Sequence, residues 1–408
     1  MRRAEIAVTG IGLLTPAGND DDSVWKRLSA ARCLASPDPE LQGLPVAFSC
    51  RVDGFDPAGE LGARKARRTD RFTHLAIAAA RRSLADAGLE PTPRLAARVG
   101  VVLGVSSNSL DTYPHEFGRL GENRGHTVSP LALPRSVPNM VAGEVAMDLG
   151  VQGANFTVSS ACASGATAIG VARDLLLGGS CDVVLAGGSE SARSPMNATC
   201  FHQLRALSRR ADRPDLASRP FDTDRDGFVL AEGAAVLVLE RREHARDRGA
   251  RVRALLRGFG ASADAHHPTA PHPRGRGAEQ AVRAALADAG CVPGDMHHIN
   301  AHGTSTPTGD AVEAALYLRV YSGTPPPVTA PKSVIGHTIG AAGAIEAALT
   351  VLALERQQIP PTANLRRQDS GRELDIVTRR PRPVPMQAGL STSFGFGGQN
   401  AALVITVP

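Results

Sequence analysis

Aromatic residues are scarce in this chain: one Trp, three Tyr and eleven Phe among 408 residues. Lysine is scarcer than its usual share, with only Lys26, Lys65 and Lys332, so the net charge of +5 is carried almost wholly by arginine. No dense Lys/Arg block is interleaved with aromatic rings, which excludes nucleic acid as a partner class. No run approaches the roughly 18 apolar residues of a membrane span. The six cysteines (Cys33, Cys50, Cys162, Cys181, Cys200 and Cys291) form no CxxC pair and no secretory spacing. Reduced thiols in a cytoplasmic protein are therefore expected, not a disulfide framework. The N-terminal Met1-Arg2-Arg3-Ala4-Glu5-Ile6 places an acid inside the first short apolar run. That argues against a secretory signal, and two arginines alone do not make a twin-arginine signal. A high-GC coding bias accounts for arginine over lysine, and under that bias a retained lysine such as Lys332 stands out.

Glycine and alanine are abundant, which favours helices lying close on sheets. The length fits two domains or one large duplicated unit. Apolar β-rich runs alternate with Ala-rich runs along the whole chain, the pattern of an α/β protein with buried strands. Strands are predicted at Ile6–Val8, Val99–Leu103, Asp182–Ala186, Ala235–Leu239, His298–Ala301 and Ala401–Val407. Helices are predicted at Phe72–Ala87, Ala163–Leu177, Ala278–Ala289, Asp310–Tyr321 and Ala342–Glu355, with Leu41–Gly62 irregular. The order of motifs repeats. In the first half a strand ends in Gly104-Val105-Ser106-Ser107, Ser159-Ser160-Ala161-Cys162 leads into a small-residue helix, and the strand Val183-Val184-Leu185-Ala186-Gly187-Gly188 follows. In the second half a strand ends in Ala301-His302-Gly303-Thr304, Gly336-His337-Thr338-Ile339-Gly340 leads into a small-residue helix, and a strand follows Gly397-Gly398. The charged stretch Arg241–Arg251 reads as the connection, dividing the chain into 1–250 and 251–408.

Four motifs carry chemistry. In Val158-Ser159-Ser160-Ala161-Cys162-Ala163-Ser164-Gly165-Ala166, small residues flank a cysteine between a β-rich run and a helix. That describes a nucleophile elbow, whose helix N-terminus is expected to lower the thiol pKa. The other five cysteines read as inert. Asn300-Ala301-His302-Gly303-Thr304-Ser305-Thr306 and Pro331-Lys332-Ser333-Val334-Ile335-Gly336-His337 each put an imidazole at an equivalent junction. Neither has the ligand spacing of a zinc site. Ser393-Phe394-Gly395-Phe396-Gly397-Gly398-Gln399-Asn400 cannot be an ordinary strand; its glycines allow close approach and its phenylalanines can form a flap. No GK[ST] and no helix follow, against a phosphate loop. The basic run Arg64-Lys65-Ala66-Arg67-Arg68, with Arg71, is either a patch for an acidic protein or a solvated helix face.

In this order the four motifs resemble the elongating β-ketoacyl synthases of the thiolase superfamily. The resemblance continues through Asn139–Gly143, Arg205–Ser208, Arg219–Asp222, Asp224–Val229 and Glu232–Ala234. It implies a thiolase-like five-layered αβαβα sandwich built from two duplicated halves. It implies a covalent acyl-Cys162, an oxyanion hole from the N–H groups of Cys162 and Phe396, and neutral His302 and His337 facing a malonyl thioester. No metal or organic cofactor is implied beyond the carrier protein's phosphopantetheine. Lys332 is expected to pair with Glu346 and orient His337. Thr304 and Thr306 match pantetheine-binding positions, and Phe201 and Phe396 resemble gates of the acyl pocket. Ala263-Asp264-Ala265-His266-His267 resembles a mobile loop at its mouth. Arg64, Lys65, Arg67, Arg68 and Arg205 are candidate contacts for an acyl carrier protein. The family is dimeric, so a homodimer, or a heterodimer with a chain-length-factor-like subunit, is expected.

Two positions depart from the family's commonest pattern. Gln399 stands where a Thr or small residue is common, and Ser107 where a bulky aliphatic residue closes the acyl pocket. A polar residue at 107 opens the pocket floor to a polyketide or polyene intermediate, alongside the fatty-acid reading. A non-catalytic partner subunit lacks the nucleophile, which this chain retains. A thiolase needs a second cysteine motif, which it does not have.

Overall fold

The computed structural model describes residues 5–107 and 110–408. Met1–Ala4, on which most of the N-terminal reading rests, lie outside the described residues. The first half contributes β1 (Ile6–Leu14), β2 (Val99–Gly104), β3 (Asn155–Val158), β4 (Val183–Ser191) and β5 (Glu232–Arg241). The second contributes β6 (Ala254–Ala263), β7 (His298–Asn300), β8 (Val328–Thr329), β9 (Ala388–Gly395) and β10 (Gln399–Thr406). Their order is β8-β7-β9-β10-β6-β1-β5-β4-β2-β3. Adding five to every strand number of the first half, β3-β2-β4-β5-β1, reproduces the second, β8-β7-β9-β10-β6. The halves join where β1 and β6 run antiparallel through Ile6↔Leu256, Ala7↔Leu255 and Val8↔Ala254. The order read from the sequence is thus a true duplication of topology.

Six helices complete the layers: α1 (Arg71–Asp86), α2 (Asn139–Leu149), α3 (Ser164–Leu177), α4 (Arg276–Ala289), α5 (Pro307–Val320) and α6 (Ala342–Arg356). α1 and α2 cover the outer face of the first half, and α4 and α5 that of the second. α3 and α6 share a core with strands of both halves. Helices, strands, helices, strands, helices make the expected five layers.

Strand β1 is buried at every residue because both of its faces are covered, which favours a near-continuous apolar run over alternation. The glycines mark where helices press in. A Cβ on Gly12 would lie 1.9 Å from the Ala79 carbonyl oxygen of α1, and one on Gly260 2.1 Å from that of Ala281 in α4. The central helices touch in the same reciprocal way. A Cβ on Gly165 would meet the Ala344 nitrogen at 2.7 Å, and one on Gly343 the Ala166 nitrogen at 2.8 Å. Every residue of α6 from Ala342 to Leu354 is buried, Glu346 included, and a buried charge demands a partner.

Some boundaries differ from expectation. β1 runs on to Leu14, past Thr9 and two glycines that seemed to end it. β4 continues beyond Gly188 through Ser189 and Glu190, both buried, to Ser191.

Candidate active site

Cys162, the expected nucleophile, sits where β3 gives way to α3. A short 3₁₀ turn, Ala161–Ala163, separates them. Ala161 takes φ 49°, in the left-handed region, which costs a non-glycine residue about 1–3 kcal/mol. The Ser164 hydroxyl holds the bend: it accepts from the Ser160 N–H at 2.9 Å and donates to the Ala161 carbonyl at 2.6 Å. The second half repeats the device before α6, with the 3₁₀ turn Ile339–Ala341 and Ile339 at φ 47°. Gly395 presses on the first turn; a Cβ there would lie 2.7 Å from the Ser160 carbonyl oxygen and 3.1 Å from the Cys162 nitrogen. This contact brings the N–H of Phe396, along with that of Cys162 itself, onto the thiol.

The expected lowering of the thiol pKa is not found. Burial pushes Cys162 up to about 11, against the opposing pull of the Lys332 charge and of the Phe396 and Cys162 N–H groups. Cys162 is only 8% exposed, and desolvation disfavours the thiolate more than those groups favour it. A raised acid is neutral below its pKa, so at pH 7 about one thiol in ten thousand is ionised. Iodoacetamide alkylation of Cys162 is therefore expected to rise about tenfold per pH unit from 7 to 10 without a plateau. A plateau near pH 7 would show that the helix terminus outweighs burial.

His302 follows β7, and its loop is anchored by a carboxylate. The N–H groups of His302 and Gly303 donate to the two oxygens of Glu313, each at 2.8 Å, and the Tyr317 hydroxyl donates to the same group at 2.6 Å. Lys332 pairs with Glu346, donates to the His302 carbonyl at 2.7 Å and faces His302 Nδ1 at 3.3 Å. The expected pairing with Glu346 is present, but the lysine orients His302 and not His337. His337 is set by its own turn, where the Ile339 N–H donates to its Nδ1 at 3.2 Å. The two rings stand 5.5 Å apart at 85°. Burial and the nearby Lys332 charge hold both imidazoles well below the usual histidine range, so both are neutral. With a donor on each Nδ1, the single ring proton of each lies on Nε2. The site thus offers two N–H donors of fixed tautomer beside a thiol.

These groups open onto one cavity of about 370 Å³, lined among others by Cys162, His302, His337, Thr304, Thr306, Phe201 and Phe396. The Thr304 and Thr306 hydroxyls lie 3.0 Å apart on its wall. Phe201 packs on Phe396 at 6.1 Å and on Phe228 at 5.3 Å. The flap and the Ala263–His267 loop are tied together. Asp264 N–H donates to the Gly398 carbonyl at 2.8 Å, Gly397 N–H to the Pro268 carbonyl at 2.6 Å, and Asn400 to Asp264 at 3.0 Å.

Several expectations need correction. Neither Ser107 nor Gln399 lines the cavity. The Ser107 hydroxyl is turned to Glu190, and Gln399 is exposed. Lys65 is committed to Asp148, a carboxylate that also takes Arg81, and Arg71 to Glu232. Arg64, Arg67 and Arg68 remain exposed on the short helix Ala63–Arg68, and Arg205 is exposed at the cavity mouth. Glu313 and Phe228 were missed in the sequence. Glu313 carried a usable signal, an acid alone among the apolar residues of Ala311–Leu318; Phe228 carried none.

The chain matches the family described as "Beta-ketoacyl synthase, N-terminal domain" over residues 3–245 and its C-terminal counterpart over residues 253–366. It is 40% identical over 410 residues to the 3-oxoacyl-[acyl-carrier-protein] synthase 2 of Vibrio cholerae, covering 99% of each chain. A solved β-ketoacyl synthase from Burkholderia phymatum superposes with a TM-score of 0.94 at 34% identity, covering 99% of this chain and 100% of that one. The ishigamide ketosynthase/chain length factor superposes at 0.93 with 32% identity, over all of both chains. With a thiol and two neutral imidazoles converging in one cavity of the duplicated fold, the chain belongs to the β-ketoacyl synthase family of condensing acyltransferases.

Proposed function

We propose that the protein elongates acyl chains by decarboxylative condensation on acyl carrier protein. The observation that carries this is the convergence of Cys162 with two Nε2–H donors whose tautomers are fixed from behind. In the first half-reaction the Cys162 sulfur attacks an acyl thioester. The carbonyl oxygen becomes an oxyanion held by the Cys162 and Phe396 N–H groups. The C–S bond to the carrier breaks, and the thiol proton ends on the departing pantetheine sulfur. In the second, a malonyl thioester places its carbonyl oxygen against His302 and His337. The C–C bond to the carboxylate breaks, CO₂ leaves, and the electron pair is held as an enolate that the two N–H groups stabilise. The enolate carbon attacks the acyl-Cys162 carbonyl, the Cys–acyl bond breaks, and a β-ketoacyl thioester departs. Cys162 recovers its proton from solvent. The thioester is the electron sink, so the step calls for no metal and no organic cofactor beyond the carrier's phosphopantetheine.

Thr304 and Thr306, on the cavity wall, would hydrogen-bond the pantetheine arm, and Phe201 and Phe396 would gate the acyl chain. Arg64, Arg67 and Arg68 on the short helix Ala63–Arg68, and Arg205 at the cavity mouth, are the exposed arginines that an acidic carrier protein would meet. The edge strand β3 is half open, with Phe156 37% exposed, and exposed Phe117, Leu133 and Met147 lie on other elements of the same half. A strand edge unpaired among the described residues, in a half with exposed apolar side chains, fits pairing with another subunit, a second copy or a chain-length-factor-like partner. Six free cysteines suit a cytoplasmic setting, and among the described residues no helix is long and apolar enough to cross a membrane.

A specialised polyketide ketosynthase is the second reading, favoured by the match to the ishigamide ketosynthase/chain length factor. The test of both is a panel of acyl-carrier thioesters, saturated, polyene and β-keto, each offered with malonyl-carrier protein and read by product mass. Chain extension by two carbons with loss of CO₂ is expected, and no extension on any member overturns the condensing reading. Extension only when a chain-length-factor-like subunit is added selects the polyketide reading.

A further inference from the structure

Glu190 is a buried acid that the condensation does not use. It lies one residue from the end of β4 and is 3% exposed. One carboxylate oxygen accepts from the Ser106 N–H at 2.9 Å and from the Ser106 hydroxyl. The Ser107 hydroxyl and the Gly340 N–H donate to the same carboxylate. These donors come from two elements: Ser106 and Ser107 follow β2, and Gly340 belongs to the turn between His337 and α6. No Lys, Arg or His among the described residues is ion-paired with it. The fit is tight, since a Cβ on Gly340 would lie 2.6 Å from the Ser106 nitrogen and 2.7 Å from a Glu190 oxygen. The Glu190 charge also reaches Cys162: burial raises that thiol most, Lys332 pulls it down, and Glu190 adds to the rise.

A carboxylate buried without a cation is costly, and an apolar residue in its place would strand four donors. The arrangement is therefore a clamp more than a stabilising pair. We propose that Glu190 is a positioning residue: by gathering Ser106, Ser107 and Gly340 on one carboxylate, it fixes the His337 turn relative to Cys162 and so controls the decarboxylation step. This rests on the condensing reading above. It also accounts for Ser107, whose hydroxyl serves the clamp.

The test compares wild type with Glu190→Gln in three measurements: acyl loading by intact mass, condensation with malonyl-carrier protein, and iodoacetamide alkylation of Cys162 against pH. Misplacing His337 is expected to lower condensation on the order of ten- to a hundredfold, with loading within about threefold of wild type. Burial raises Glu190 to about 7, so below pH 6 its carboxyl is neutral and above pH 8 it is charged. The alkylation ratio of variant to wild type should accordingly climb from near one below pH 6 to above one past pH 8, because removing the Glu190 charge lowers the thiol pKa. A merely structural residue would not move that ratio with pH. Should Glu190→Gln fail to fold, Ser106→Ala keeps the carboxylate and removes one donor, and a condensation loss with normal loading is still expected. Equal loss of both half-reactions, or a ratio flat with pH, overturns the proposal. Absence of condensation in wild type overturns the condensing reading instead, and the alkylation ratio still reports on Glu190 and Cys162.

Discussion

Cys162→Ala will acquire no acyl mass from any acyl-carrier thioester, while His302→Ala and His337→Ala will load to nearly wild-type levels and then stall. In the proposed reaction the thiol sulfur forms the covalent bond, and none of the other five cysteines lines the cavity. On that proposal loading uses the Cys162 and Phe396 N–H groups, which belong to the backbone and survive both histidine substitutions. Condensation then needs the enolate, and each neutral Nε2–H would stabilise the charge that develops as CO₂ leaves. Loss of one preorganised donor of this kind lowers the rate by about 10²–10³. Loss of both is not additive, because the two act on one oxygen. Intact mass separates the steps: an acyl adduct on the histidine variants with no product, and no adduct on Cys162→Ala. Equal loading of Cys162→Ala and wild type would remove Cys162 from the reaction.

Lys332→Met will damage both the fold and the second half-reaction, and the two effects will separate in a double variant. Lys332 is 1% exposed and so is Glu346. Breaking a buried pair by removing one member costs about 3–5 kcal/mol, because the remaining charge is stranded. Burial already holds Glu346 up at about 7 with Lys332 opposing, and without the lysine it must rise further. A carboxyl raised above its unfolded value costs stability as pH climbs through the gap and regains it when protonated. The Lys332→Met deficit in urea midpoint is therefore larger at pH 8 than at pH 5.5. Lys332→Met with Glu346→Leu replaces the pair by apolar groups and should recover most of the stability. Condensation should not recover, because His302 Nδ1 and the His302 carbonyl still lack their donor. Recovery of both together would reduce Lys332 to a structural role.

The difference between what was legible in the sequence and what was not follows physical lines. Cys162, His302 and His337 were legible because small residues around a reactive one, at a strand–helix junction, leave few other readings. The Lys332–Glu346 pair was legible because both charges stand in apolar or small-residue surroundings. The target of Lys332 was not, since its side chain crosses to the end of β7 and no local pattern reports that. The direction of the thiol shift was not legible either. A helix N-terminus can be read from a string of residues, but the depth of burial that outweighs it comes from packing among both halves. Glu190 was not legible because it lies past Gly188, where the expected strand stops, and its partners at Ser106 and Gly340 are far away in sequence. Ser107 and Lys65 show the opposite error, side chains assigned to the substrate and to the carrier protein that the fold had already engaged.

The paired bends at Ala161 and Ile339 have a consequence for how this protein can change. The first bend is held by the Ser164 hydroxyl and by Gly395 pressing on it, and neither contact uses the thiol; the second also takes the Ile339 N–H bond to the His337 imidazole. At residue 162 the aim of the reactive group and its identity are thus specified separately. Chemistry at residue 162 can be rewritten, from thiol to carboxylate, on a scaffold that keeps pointing the replacement at the same spot.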